Sequence, residues 1–239
     1  MRVLVLLAAL ACACCRTAAP PPAASAMPAD AIAAVAIDLA TLRAAPAYPH
    51  LPAALRALAD PLAGESQLLL AWNGTDLLLV ASGAVAQPPS GYTGIGSGIA
   101  AAGSAERIEA ARRALTAGAK PPLNLPVANA ELRAALRADG RLPLSGNLAN
   151  AGNLLRMADS TTVTAHLETS IEVEAAAQCA SIGKAAELEQ SLRAMQTLAA
   201  AGTRDPDLAA LLRSIRVQRE SLIVRVHAIA KPEAFAKVY

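Results

Sequence analysis

Residues 160–201 constrain the fold more than any other stretch, because their hydrophobic period changes once, from about two residues to about 3.6. Apolar and polar residues alternate over 160–179, which is the pattern of two antiparallel strands with one buried face and one solvated face. From 182 onward apolar residues recur at helical spacing, and Ser181 stands where an N-cap is expected. The stretch predicts a strand, a tight turn, a second strand and a long amphipathic helix.

The same alternation divides the side chains between two faces. The strand residues predicted to face inward are Val163, Ala165, Leu167, Ile171, Val173, Ala175, Ala177 and Cys179. The helix is predicted to bury Ile182, Ala185, Leu188, Leu192, Met195 and Ala199. Val173 is therefore expected to pack against Leu188 and Leu192. Cys179 is the one cysteine outside the first 15 residues, and we expect a small buried hydrophobe there.

Two further strand pairs are predicted elsewhere in the chain. Asn73-Gly74 is the sequence of a tight hairpin turn, and its flanks are apolar on both faces, so this pair should lie in the middle of the sheet or be covered on both sides. Another pair is expected over 214–230. Single strands are predicted at 32–37, 98–102 and 131–137, and helices at 41–45, 51–62, 104–115, 147–157 and from Pro206.

These elements together predict an α+β fold. Strand pairs alternate with helices, which favours a mostly antiparallel sheet with the helices packed on one face. The order of helices and strands resembles a ferredoxin-like arrangement built from split βαβ units. Two or three segments share one plan, so a duplication is an open alternative, with pseudo-repeats at about 30–145 and 146–239.

Composition excludes one class of partner. The chain has a net charge of only +2, and aromatic residues make up 2% of it. Nucleic-acid binding requires a basic surface or aromatic stacking platforms, and neither is present in the sequence. A nucleic-acid partner is therefore not expected.

The N-terminus has the features of an export signal. Arg2 is followed by an apolar run over 3–11 and then by small residues, which is too short for a membrane span. Ala9-Leu10-Ala11-Cys12 resembles a bacterial lipobox, which implies lipidation at Cys12 and anchoring in a membrane. Simple cleavage without a lipid stays open, with a site around Cys12 or at Ala24-Ser25-Ala26. Residues 1–15 are thus interpreted as a signal peptide.

The next segment, 16–29, is rich in proline and alanine and has no hydrophobic period. We interpret it as a tether, followed by a single α+β domain over 30–239. This organisation predicts an exported protein, either periplasmic or anchored to the membrane of the cell envelope.

Two motifs associated with enzymes have simpler interpretations. The glycine-dense stretch 91–103 lacks the strand, glycine spacing and lysine of a phosphate-binding loop, so it is expected to be a loop and a short strand. Ser181 and Lys184 match a Ser-x-x-Lys pattern, but the accompanying motifs of penicillin-binding enzymes are missing. Ser181 is better explained as an N-cap. No catalytic residue and no cofactor are predicted.

The solvated face of the sheet carries the remaining candidate chemistry. Its predicted members are His166, Glu168, Glu172, Glu174, Arg216, Arg225 and His227. If the strands are neighbours, His166, His227, Glu168 and Glu172 have the donor atoms of a divalent metal site. The alternative is a solvated face with Glu–Arg pairs between strands.

Two hypotheses of different class follow from the sequence. The first is a non-catalytic envelope module that binds a partner protein or an apolar small molecule. The second is a metal-dependent or hydrolytic enzyme that uses the polar sheet face.

Overall fold

A computed structural model describes residues 22–51, 53–83, 87–118, 120–137 and 154–232. In this part of the chain ten strands form one antiparallel sheet in the order β4-β5-β3-β2-β1-β6-β7-β8-β10-β9. The strands are β1 (Ala33–Asp38), β2 (Glu65–Trp72), β3 (Leu77–Gly83), β4 (Thr93–Gly96), β5 (Ile99–Ala102), β6 (Leu132–Arg137), β7 (Ser160–Leu167), β8 (Ile171–Gln178), β9 (Arg216–Glu220) and β10 (Ile223–Ala230).

Five α-helices accompany the sheet in the same part of the chain. They are α1 (Leu39–Ala44), α2 (Ala53–Ala59), α3 (Ala105–Ala117), α4 (Ile182–Gly202) and α5 (Pro206–Ser214), with short 3-10 helices at Pro22–Ala26, Tyr48–His50 and Asp60–Leu62. Among the described residues, no helix is both long and apolar enough to cross a membrane. The predicted α+β class and the mostly antiparallel sheet are therefore confirmed.

The strand order repeats itself across the centre of the sheet. The first half runs β1-β2-β3-β5-β4 and the second runs β6-β7-β8-β10-β9, and the two halves meet where β1 pairs with β6. The described helices occupy different connections in the two halves: α1 and α2 connect β1 to β2, whereas α4 and α5 connect β8 to β9. The repeat in strand order thus divides the sheet before β6, ahead of the boundary near residue 145 that the sequence suggested.

The ferredoxin-like arrangement is not confirmed. All nine strand pairings are antiparallel, and each half begins as a meander of three consecutive strands. One connection does have split βαβ geometry, because β10 lies between β8 and β9, which the two helices α4 and α5 connect. A second helical crossover interleaved with it would be needed for the ferredoxin-like order.

The two faces of the sheet can be followed from strand to strand, because directly paired residues lie on the same side. We call the face that carries Leu69 and Val80 the front face, and the face that carries Leu68 and Val224 the back face. Helices α1, α2, α4 and α5 pack on the back face, where they meet two clusters of apolar residues.

The first half of the sheet is covered on both faces. Leu69, Leu78 and Val80 of its front face pack beneath the 3-10 helix Pro22–Ala26 and α3. The prediction that the Asn73-Gly74 hairpin is covered on both sides is confirmed. The prediction that all helices lie on one face is wrong for this half, since strands that are apolar on both faces need a cover on each.

The segment predicted to be a tether is partly wrong as well. Ala23, Ala24, Ala26 and Met27 are each no more than 3% exposed, and Ala23, Ala26 and Met27 belong to the core beneath α3. Their burial makes residues from Pro22 part of the folded domain. Alanine-rich turns give no hydrophobic period, because every position is equally small, so the pattern gave no sign of this packing. Residues 16–21 of the predicted tether lie outside the described residues.

The long helix and its turn follow the prediction with local changes. The Ser181 hydroxyl accepts from the Lys184 amide at 3.2 Å, which makes it an N-cap as expected. Ala185 and Leu188 are buried against the back face, whereas Ile182 and Met195 are exposed. Most of the predicted helix 147–157 lies outside the described residues.

Candidate functional site

The second half of the sheet presents a polar front face. Direct pairing from strand to strand places six residues on this side: Ala36, Arg133, Thr164, Glu174, His227 and Arg216. No described helix packs over the front of β7, β8, β9 and β10. We call this surface the charged face, defined by Glu131, His166, Glu172, Glu174, Arg216, Glu220, Arg225 and His227.

Paired charges occupy the middle of the charged face. Nε2 of His227 on β10 donates to Oε1 of Glu172 on β8 at 2.7 Å. Arg225 lies between two carboxylates, at 3.5 Å from Glu174 and 3.2 Å from Glu220. These side chains are about one third to two thirds exposed, so each contact is weak in water and can be exchanged for a contact with a ligand.

A second histidine faces the same carboxylate from the other side. His166 on β7 pairs directly with Glu172 on β8, so the two histidines flank Glu172. Nδ1 of His166 also lies 3.8 Å from the carboxylate of Glu131, which precedes β6. The same oxygen of Glu131, Oε2, also has a structural contact, since it accepts from the Leu167 amide at 3.1 Å. A row from Glu131 to His227 thus crosses four strands.

The four predicted metal ligands are only partly brought together. His166, Glu172 and His227 share the charged face, whereas Glu168 lies in the exposed turn between β7 and β8. Within the described ranges, no three or more His, Cys, Asp or Glu side chains are arranged to hold a metal ion. The geometry here is that of pairs along a flat row rather than of ligands converging on one point.

Two members of the charged face were missed by the sequence reasoning. Glu131 comes just before β6 and Glu220 ends β9, so both lie at the end of a strand, where the sequence reasoning assigned no face. Ile229, also on this side, is 51% exposed and gives the charged face an apolar spot beside Glu172. The pairing of β6 with β7, which brings Glu131 beside His166, would have been needed to find Glu131.

Cys179 has the structural role that the sequence predicts. It is 1% exposed and packs beside Leu188 and Val224 on the back face. Burial, with a smaller effect of the Asp159 carboxylate, raises the pKa of its thiol, which keeps it protonated and unreactive.

An ion pair also anchors the N-terminal segment to the first half. Nη1 of Arg107 on α3 lies 2.7 Å from both carboxylate oxygens of Asp30, and the Arg107 side chain is only 4% exposed. Burial of Asp30 acts to raise its pKa, but the hydrogen bonds from Arg107 and Asn73 outweigh it, and the pKa is lowered. This pair joins residues 77 positions apart and has a structural role.

Comparison with known proteins gives little beyond these observations. No protein-family model matches the chain, and no curated protein matches it either. Three crystal structures of TP0453, in forms I, III and IV, are similar to it with TM-scores of 0.46, 0.49 and 0.48. They are 10–11% identical and align over 92–93% of this chain and 97–98% of theirs. A likeness of this degree carries no argument about function.

Proposed function

We propose that the protein is an exported, lipid-anchored bacterial envelope protein that acts as a non-catalytic interaction module. The charged face is the surface that contacts a protein partner. The observation that carries this proposal is the contrast between the two halves of the sheet. Described elements cover the first half on both faces, whereas the front of β7, β8, β9 and β10 has none over it.

The chemistry of the charged face favours a protein over a small apolar ligand. Carboxylates and cations alternate across neighbouring strands, and they are half exposed rather than enclosed. Complementary charges on a partner would give such a surface specificity and a faster encounter. Ile229 supplies one apolar contact at the centre of the array.

The burial of Ala24 and Ala26 supports cleavage of the signal peptide upstream of the folded domain. Ala24 and Ala26, which flank the alternative cleavage site, are packed in the core, so cleavage there would remove part of the fold. An anchor at Cys12 would leave nine residues, 13–21, before the domain. Fully extended, nine residues span about 30 Å, so an anchored domain would remain close to the membrane surface.

The enzymatic alternative has less to support it. His166, Glu172 and His227 do lie together, but their arrangement is a flat row with exposed side chains. General acid–base or metal chemistry calls for groups that converge on a substrate in a sheltered site. We therefore keep the interaction module as the proposal.

The interaction surface is tested by site-specific photo-cross-linking in native cells. A photoreactive residue at Ile229, on the charged face, should give a discrete adduct with a partner protein. Leu198 provides the control, because it is 73% exposed on α4, which covers the back face. Equal adducts from both positions, or none from Ile229, would contradict the proposal.

The anchor is tested separately. Cys12→Ala should release the protein from the membrane fraction while leaving the folded domain intact. A variant that stays membrane-bound with Cys14 and Cys15 unchanged would show that the lipobox interpretation is wrong.

A further inference from the structure

The first half of the sheet contains a pocket that the interaction surface does not use. It has a volume of about 780 Å³ and lies where α1, the start of β2, the end of β3 and the β4–β5 turn meet. We call it the Glu65 pocket, defined by Arg43, Glu65, Gln67, Ser82, Gly83 and Gly98. It is separate from the charged face, which belongs to β7–β10.

A carboxylate oxygen in the wall of this pocket has no hydrogen-bond donor. Glu65 is 7% exposed, and its Oε2 is buried without a partner. Oε1 of Gln67 is also buried and unpartnered, but a β-bulge between the two residues turns Gln67 to the other face of the sheet. Buried acceptors in proteins are nearly always paired, and a carboxylate needs a partner most.

The cation that lines the same pocket is engaged elsewhere. The guanidinium of Arg43 donates to three backbone carbonyls, those of Ala59 at 2.8 Å, Leu62 at 2.6 Å and Glu65 at 3.3 Å. These bonds hold the α2–β2 connection against α1. The carboxylate of Glu65 therefore lacks a counter-ion among the side chains that define the pocket.

Glycine at position 83 leaves room for the carboxylate. A Cβ on Gly83 would lie 2.4 Å from Oε2 of Glu65 and 2.9 Å from its Cα, closer than real Cβ contacts come. The Gly83 amide donates to the Gly98 carbonyl at 3.0 Å, which fixes the strand end beside Glu65. The backbone thus holds an acidic group against the wall of an open pocket.

We propose that the Glu65 pocket binds a small ligand through a primary ammonium group. The Glu65 carboxylate serves as the counter-ion and accepts an N–H from that group. An ammonium group offers three donors and a positive charge, so it supplies the donor that the carboxylate lacks and offsets the cost of burying it. Burial alone raises the pKa of Glu65, which agrees with a carboxyl group that lacks a donor.

The test is a titration of the intact protein with n-butylammonium chloride, followed by the amide NMR signals of Ser66, Gly83 and Gly98. We expect saturable shifts at these three residues, and none with butan-1-ol, which has the same chain length without the charge. Glu65→Gln should weaken binding about tenfold or more, since it removes the charge and keeps the shape. Glu168→Gln, in an exposed turn, should bind as the wild type does.

The comparison of the two probes needs no variant, so it decides the matter even if Glu65→Gln fails to fold. Shifts that do not saturate would overturn the proposal. Equal binding of butan-1-ol would show that the pocket is not selective for a cation and would overturn it too, as would unchanged binding to a folded Glu65→Gln protein.

Discussion

Nε2 of His227 lies 2.7 Å from Oε1 of Glu172, on the diagonal between two neighbouring antiparallel strands. His166 stands directly opposite the same glutamate on the other side. Glu172 thus lies between His166 of β7 and His227 of β10 at the centre of the charged face. Its contacts are half exposed, so they orient side chains on the surface more than they stabilise the fold.

The first prediction concerns this pair. A double-mutant cycle of Glu172→Gln and His227→Ala should give a coupling free energy of about 0.2–1 kcal/mol, typical of cross-strand pairs. Urea unfolding of the four proteins measures it. A coupling of several kcal/mol would mean that the charged face is covered by another part of the chain.

The second prediction compares adjacent residues on opposite faces of β8. Val173→Asp should cost several kcal/mol, because it places a carboxylate against the apolar cluster that contains Leu39, Leu42 and Leu167. Glu172→Ala, one residue away, should cost under about 1 kcal/mol. Thermal melts measure both. Similar losses at the two positions would contradict the assignment of one covered and one open face.

These two predictions also show what the sequence could and could not provide. Hairpins and caps depend on residues a few positions apart, so the hairpin at Asn73-Gly74 and the N-cap at Ser181 were identified correctly. The order of hairpins in the sheet depends on contacts between distant residues, which alternation does not specify. Neighbouring strands β1 and β6 are almost 100 residues apart in the chain.

The same limitation explains where Val173 packs. It was expected to meet Leu188 and Leu192 of the helix that follows it, but it lies against the cluster beneath α1 and α2. The face of the residue was predicted correctly, because alternation decides it. The predicted neighbours of Val173 were wrong, because the sheet continues to β1 and α1 and α2 of the first half therefore lie close to Val173. The Glu65 pocket had no signal in the sequence for the same reason.

The third prediction uses the buried carboxyl group of Glu65. Because its pKa in the folded protein is raised from 4.5, the folded state binds more protons than the unfolded state just above that pH. Stability must therefore fall as the pH rises from about 4.5 to the raised pKa. Urea unfolding across that pH range measures this decline. The Glu65→Gln variant should not show it, and at pH 7 the variant should be more stable than the wild type.

The control for this measurement is Glu168→Gln, an exposed carboxyl group in the turn after β7. Its pH profile should run parallel to that of the wild type. A Glu65→Gln profile that also runs parallel would show that the carboxyl group is not desolvated by folding.

The fourth prediction tests whether residues 22–27 belong to the domain. Ala26 is fully buried in the core beneath α3. Ala26→Arg should therefore destabilise the protein by more than about 1 kcal/mol, since overpacking a core forces its surroundings apart. Ala29→Arg, three residues on at an exposed position, is the matched control. Equal melting temperatures for the two variants would support a loose tether instead.

The charged face as an interaction surface is tested most directly by reversing one charge on each side of the sheet. Glu174 on the charged face and Glu187 on α4 are 52% and 53% exposed, and each makes one ion pair. After gentle solubilisation of the cell envelope, Glu174→Arg should lower the amount of co-purified partner about tenfold, whereas Glu187→Arg should leave it unchanged. Equal recovery of the partner with both variants would contradict the account.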